Sequence, residues 1–331
     1  MRKTLLFLFA ALAAAPLSAQ QPKNVQYLKD LTPTQMQRTM NMIRGSLGTH
    51  CDFCHVVTEK DGWNWASDDK PTKKTAREMI GMTMELNQKF FKGRPIVSCN
   101  TCHRGNTHPV ALVTLPQPQP PFPTPVEEKP TLPATKDVIA KYAAAIGDTS
   151  KIRSFSMKGT RENAQGKVAP IEAAQGPGAA ARILTANPEG ETENILDGQG
   201  GGTVRTPKET VRPIKPGELE HLTQLLDAAA FVLPSDIPAD AKVARKEEDS
   251  WMVASDLRPG VRQRLFFDAK SGLLTKRIIT VDTPIGRIPQ ETDYSDYRDA
   301  GGVKLPFTIK TSFADPWIGA TRHYTEIKPM P

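Results

Sequence analysis

The stretch PQPQPPFPTPVEEKPTLP, Pro116 to Pro133, places a proline at almost every second position. Such a segment can enter neither a helix interior nor a central strand. It reads as a linker, spanning on the order of 55 Å in polyproline form. Working outward, it leaves residues 20–115 on one side and 134–331 on the other, and it predicts two domains held apart with few contacts between them. A length of 331 residues agrees with two folded units of about 150 residues each. The hydrophobic share of 38% and the 23 glycines are those of a chain that buries real cores. Charge is divided unevenly: residues 20–115 carry 13 basic and 8 acidic side chains, whereas residues 134–331 carry 27 and 26. A net charge of +7 spread this thinly gives no footprint for a nucleic acid.

At the far N-terminal side, Arg2 and Lys3 precede the apolar run LLFLFAALAAAPL, and Leu17-Ser18-Ala19 ends it on a small residue. That is the layout of a secretory signal, with cleavage after Ala19. The run of residues 5–17 is shorter than the roughly 20 residues a membrane helix needs. The expectation is a signal peptide over residues 1–19, an exported periplasmic protein, and no integral membrane segment after cleavage. Removing Arg2 and Lys3 lowers the net charge to +5.

Between signal and linker stand Cys51-Asp52-Phe53-Cys54-His55 and Cys99-Asn100-Thr101-Cys102-His103. These two C-x-x-C-H motifs use all four cysteines. The spacing has a chemical reason: two thiols add across the two vinyl groups on one edge of a porphyrin, and the following His reaches the iron as proximal ligand. The implied cofactors are two covalent haem c groups, bound through Cys51, Cys54, His55, Cys99, Cys102 and His103, with His55 and His103 as metal ligands. The competing readings are a shared zinc site, a redox-active dithiol or two disulfides. None of them calls for a His directly after both pairs.

The sixth iron position separates a carrier from an enzyme. Thr32-Pro33-Thr34-Gln35 is a helix start, with Thr as N-cap, Pro at the first helical position and Gln three residues after the cap. The pattern predicts a helix over 33–47, with Met36, Met40, Ile43 and Leu47 on one face and Gly48 closing it. A second helix over 72–92 puts Met79, Met82, Leu86 and Phe90 on one face, ended by Gly93 and Pro95. Each unit is thus a Met-bearing helix, a turn and C-x-x-C-H. Met stripes at this spacing are ordinary core, but beside a haem motif a thioether closes the coordination and raises the potential. Met42 and Met84 lie off these stripes and read as packing. His50 and His108 are the rival ligands. Arg77 and Arg104 are candidates for pairing haem propionates, and Trp63 and Trp65 for covering haem edges.

The runs RTMNMIRGSLGTHCDFCH, WASDDKPTKKTAREMIGMTMELN and VSCNTCHRG resemble the cytochrome c subunit of photosynthetic reaction centres and its exported dihaem relatives, over residues 23–110. That resemblance implies a sixth ligand from the Met of the helix before each motif. By position these are Met40 for the first haem and Met79 for the second, with Met82 as the alternative. Two haem motifs stand here where the full subunit has four, so a photosynthetic role does not carry over.

Beyond the linker, Thr135 to Ile146 is an amphipathic helix closed by Gly147. The runs FSMKGTRE, RILTA, TENILDG, RQRLFFD, LLTKRIITVD, QETDYSDYRD, VKLPFTIKTSF and RHYTEIK are short strands parted by turn signals, the pattern of an antiparallel meander. A helix over 217–230 interrupts them. The fold class is therefore a mainly α haem domain (20–115), the linker (116–133), and a mainly β domain (134–331). The β domain resembles the incomplete barrel of periplasmic lipoprotein carriers. The Gly-rich Asp197 to Gly202 lacks a following Lys-Ser or Lys-Thr and reads as a hairpin turn. His221 and His323 stand alone, without ligand spacing.

The leading functional expectation is a periplasmic dihaem cytochrome relaying single electrons, with a redox protein or membrane electron-transfer complex as donor and acceptor, a carrier without catalytic residues. One alternative is a dihaem peroxidase-like enzyme with an open iron. The other is a lipid, lipoprotein or partner-binding module carrying a cytochrome domain, for which a deep apolar cavity in the half-barrel is the discriminator.

Overall fold

A computed structural model describes residues 23–113, 115–116, 131–176, 180–187, 190–199, 201–214, 222 and 230–331. The signal segment, most of the proline strip and nearly all of the expected helix over 217–230, including His221, lie outside the described residues.

The first helix, α1 (Pro33–Leu47), has the limits its caps dictate. Thr32 and Gln35 form a reciprocal capping box, and Gly48 ends the helix in the left-handed region at φ 62°. A 3₁₀ turn (Cys51–Phe53), the small hairpin of β1 (Val56–Thr58) and β2 (Gly62–Asn64), and α2 (Pro71–Phe91) follow. The short α3 (Cys99–His103) carries the second motif and α4 (Thr135–Ile146) opens the β region. No helix among the described residues is long and apolar enough to cross a membrane.

Among the described residues, thirteen strands form one open antiparallel sheet: β3 (Ser154–Asn163), β4 (Val168–Gln175), β5 (Ala181–Asn187), β6 (Gly190–Leu196), β7 (Gly202–Thr206), β8 (Glu209–Pro213), β9 (Lys242–Glu247), β10 (Ser250–Arg258), β11 (Val261–Asp268), β12 (Leu274–Thr283), β13 (Gly286–Asp299), β14 (Lys304–Phe313) and β15 (Ala320–Met330). The order is two meanders, β3 to β8 and β9 to β15, zipped together by β3 pairing with β15. Asp197 to Gly202 joins two antiparallel partners, β6 and β7, as a hairpin turn should. Alternation sets the inner face: Phe155 and Met157, Leu305, Phe307 and Ile309, Tyr324 and Ile327 all point to the core. Val138, Tyr142 and Ile146 of α4 pack on this face, with the Tyr142 hydroxyl donating to the Val232 carbonyl at 2.6 Å.

The expectation of two separated bodies fails. Leu28 and Met42 from before the proline strip share a buried cluster with Ile285 and Ile288 from the β12–β13 hairpin, joined by Met36, Met40, Ile80, Met84 and Ala314. Arg44 of α1 pairs with Asp315 at 3.1 Å, and the Asp315 carboxylate is wholly buried. Gly45 marks the closest approach, since a Cβ there would strike the Ala314 carbonyl. Proline content sets the stiffness of a connection, but whether its ends dock depends on apolar surface elsewhere in the chain.

Candidate functional site

Both C-x-x-C-H motifs form single helical turns. His55 N–H donates to the Cys51 carbonyl at 2.9 Å, and the second motif is α3 itself, entered through a Ser98–Thr101 capping box and closed by Arg104 at φ 51°. A helical turn puts positions three apart on one side, so the two thiols of each motif face the same way. All four cysteines are free, not disulfide-bonded. Among the described residues, no three His, Cys, Asp or Glu side chains gather closely enough to hold a metal ion. Burial raises the pKa of the Cys54 thiol, against a lowering hydrogen bond from Thr72, and burial raises that of Cys99 as well.

The two units brace each other. The Lys70 ammonium and the Thr72 hydroxyl, at the start of α2, donate to the Asp52 and Phe53 carbonyls of the first motif. In return, the Gly105 N–H after the second motif donates to the Ser46 carbonyl of α1 at 2.8 Å. Asn87, 2% exposed on α2, clasps the approach to Cys99. Its amide donates to the Val97 carbonyl at 2.8 Å, and its oxygen accepts from the Ile96 and Val97 N–H groups at 3.0 and 2.9 Å.

The two histidines are held differently. His103 Nδ1 lies 3.0 Å from the Asn106 carbonyl. With Nδ1 donating there, Nε2 is the unprotonated nitrogen, as an iron ligand requires. His55 Nδ1 is buried without a hydrogen-bond partner. Burial, then the nearby Lys73 charge, lowers the His55 pKa, which favours the neutral ring. The Trp65 ring meets His55 edge-on at 5.0 Å and stacks on Trp63 at 4.6 Å.

Met36 and Met40 of α1 are half-buried against the docking cluster. Met42, 4% exposed, and Met84 pack in the same cluster. On α2 the buried positions are Thr83 and Asn87, with the Thr83 hydroxyl donating to the Met79 carbonyl at 2.8 Å. Met79 is half-buried, whereas Met82 and Phe90, on the face expected to be core, are 45% and 64% exposed. Arg77 forks onto Asp68 at 2.9 and 3.2 Å, so its charge is already matched by a carboxylate. Arg104 and His108 are exposed. His50 packs on Trp317 at 4.7 Å, and Arg44 lies over the same ring at 5.7 Å.

From residue 48 to 113 the only buried residues are Thr83 and Asn87, both polar. A segment that buries no apolar side chain has no core of its own, yet it displays Phe53, Trp63, Trp65, Met82, Phe90 and Ile96. The residues fit flat apolar groups tethered at the two motifs, which would cover this surface and complete the packing. Residues 9–140 match the family model of the photosynthetic reaction centre cytochrome C subunit. The chain resembles that family over this region. It is 38% identical over 115 residues to the reaction center cytochrome c subunit of Thermochromatium tepidum, covering 33% of this chain and 27% of that one. To cytochrome c-554 of Chloroflexus aurantiacus it is 34% identical over 86 residues, 24% of this chain and 20% of the other. It therefore spans about a quarter of the length of these cytochromes. The sheet region is similar to a LolA superfamily protein of Nitrosomonas europaea, with a TM-score of 0.40 and 12% identity over 60% of this chain and 95% of that one.

Sequence reasoning missed Asn87, Asp315 and Trp317. A polar residue in a helix between apolar neighbours is a usable signal for Asn87. The other two act through contacts with α1 more than 260 residues away in sequence, which no local pattern reports.

Proposed function

We propose that this chain is an exported, periplasmic dihaem c-type cytochrome that relays single electrons, its donor and acceptor being a redox protein or a membrane electron-transfer complex. The observation that carries the reading is the pairing of two C-x-x-C-H turns with a surrounding segment that buries only Thr83 and Asn87. The match to reaction centre cytochromes supports it. Residues 20–115 act as the cytochrome unit and 134–331 as the β unit, joined by the strip at 116–133.

When bound, each haem supplies a one-electron couple. Cys51 and Cys54 hold the first by thioether links, Cys99 and Cys102 the second. His55 and His103, each following its own cysteine pair, would supply the imidazole ligand of each iron. Met40 for the first and Met79 for the second, with Met82 as the alternative, would supply the thioether that completes each iron's ligand set and would keep peroxide and oxygen from it. The Asn106 carbonyl fixes the ring of His103, while Asn87, Lys70 and Thr72 hold the backbone of the two motifs. No acid–base or nucleophilic step is assigned to any side chain.

The test is an optical and paramagnetic-resonance redox titration of the matured protein, with a haem count, followed by carbon monoxide and peroxide. Two low-spin haems per chain that show the ferric Met–iron band and ignore both ligands are expected. One high-spin haem that binds them would leave that Met as packing and turn the reading to a peroxidase-like enzyme.

A further inference from the structure

On the inner face of the sheet, Arg322 of β15 stands directly opposite Arg161 of β3 on one side and Ile309 of β14 on the other. Arg322 is 6% exposed, and its Nη1 is buried with no hydrogen-bond partner. Arg161 is half-buried beside it. The acidic residues of these and the next strands, Glu162, Glu291 and Asp293, fall on the alternate positions and so on the opposite face. The nearest inner-face neighbours are Thr311, 2% exposed, Ala320 and Tyr324, and none is acidic; further along the face Arg277, opposite Thr292, donates to the Gln263 side chain. A guanidinium stays charged at any pH a protein survives. Two of them side by side in a half-dry site, without a carboxylate, repel each other and lose hydration. Both effects push the Arg161 pKa down, and burial does the same to Arg322.

The same three strands end at a cavity of about 310 Å³ that reaches round the strand ends, lined by Asn163, Thr311 and Ala320 of the inner face, by Lys310 and Thr321 of the opposite face, and by Gly319. Asn163, Ala320 and Thr311 form the row next to Arg161, Arg322 and Ile309. Rows two residues apart lie about 6.8 Å from each other, so the cavity adjoins the arginine pair, although neither arginine lines it. Pro316 and Gly319 belong to the loop that presents Asp315 and Trp317 to α1.

We infer that Arg161 and Arg322 form a binding site for a phosphate or carboxylate group on the inner face of the sheet. An oxyanion accepts the N–H groups the chain leaves unmatched and neutralises the paired charge. The site stands apart from the haem motifs and does not rest on the electron-transfer reading.

The experiment is a thermal-shift titration of the full haem-loaded protein with inorganic phosphate and, below its micellar concentration, with dodecyl phosphate, using dodecanol as the neutral control. Saturable stabilisation of the wild type is expected, at least tenfold weaker in Arg161→Gln, absent in Arg322→Met and unchanged in Lys304→Gln, an exposed cation on the same sheet. Without anion, Arg322→Met should melt no lower than the wild type, because it removes an unmatched charge. Inorganic phosphate acting alone identifies a free anion; a response to dodecyl phosphate only identifies the headgroup of an amphiphile. Should Arg322→Met not fold, Arg161→Gln, the less buried position, carries the comparison. No stabilisation of the wild type by either compound, or equal stabilisation of wild type and Arg161→Gln, overturns the assignment.

Discussion

Residues 48–113 and the described part of residues 134–331 both carry well-formed secondary structure in one chain, but only the second makes its own interior. Leu265, Phe267 and Ile309 of the sheet are at most 1% exposed and sit in one cluster with α4. Around the two C-x-x-C-H turns, the buried side chains are a Thr and an Asn. The difference teaches that helix caps, clasps and turns can be fully specified by sequence while the apolar filling comes from elsewhere. Here it comes from the sheet hairpins on one side and, in our reading, from two tethered porphyrins on the other.

Truncating one apolar side chain in each region tests this contrast most strongly. Ile309→Ala should destabilise the sheet by about 3–4 kcal/mol through lost transfer energy and a cavity. Phe90→Ala, at a position 64% exposed, should cost less than about 0.5 kcal/mol in haem-free protein. Denaturant midpoints giving similar costs at the two sites would break the contrast.

The seam is the next target. Removing the carboxylate in Asp315→Ala leaves the mostly buried Arg44 without its counter-charge, a loss of about 3 kcal/mol for pairs of this kind. Calorimetry should then show the N-terminal region melting in a separate, earlier transition while the sheet melts as before. A single unshifted transition would mean that the docking does not couple the regions.

Ligation comes third. Met40→His should lower one of the two midpoint potentials by on the order of 100 mV, within the roughly 0.8 V that axial ligands command, with the haem count unchanged. A titration identical to the wild type would sink the Met40 assignment.

The smallest effect concerns acid. The Arg77 fork, with Asn24 and Lys73 also bonding, holds the Asp68 carboxyl well below the usual carboxylate range. A carboxyl with a depressed folded pKa stabilises above its unfolded value and loses that contribution as pH falls. Asp68 is open to solvent, so Asp68→Asn should only slightly flatten the acid side of the N-terminal melting curve, below about pH 4. An unchanged curve would reduce the fork to a surface contact without energetic weight.

Much of this fold was legible because its boundaries are written in local chemistry. Thr32, Gln35 and Gly48 mark both ends of α1, and Gly147 ends α4. The strands with strong period-two alternation, such as β13 and β14, stand where the pattern puts them. The strands that escaped, among them β4 and β9, alternate weakly; KVARKE of β9 reads as a solvated charge run because the strand lies at the sheet edge. The docking escaped for another reason. Gly45, Asp315 and Trp317 are unremarkable in their own neighbourhoods and meet only once the chain has folded back. The apolar stripe of α2 is a third case: periodicity shows that Met82, Leu86 and Phe90 share a face, not what covers it.

Hydrogen–deuterium exchange tests the central claim most directly, comparing the haem-loaded protein with a chain whose Cys51, Cys54, Cys99 and Cys102 are all replaced by Ala. The account predicts that α2 and α3 lose most of their protection without haem, while β10 to β15 exchange as before. Equal protection of α2 in both proteins would show that the N-terminal region is complete without its porphyrins and would contradict the account.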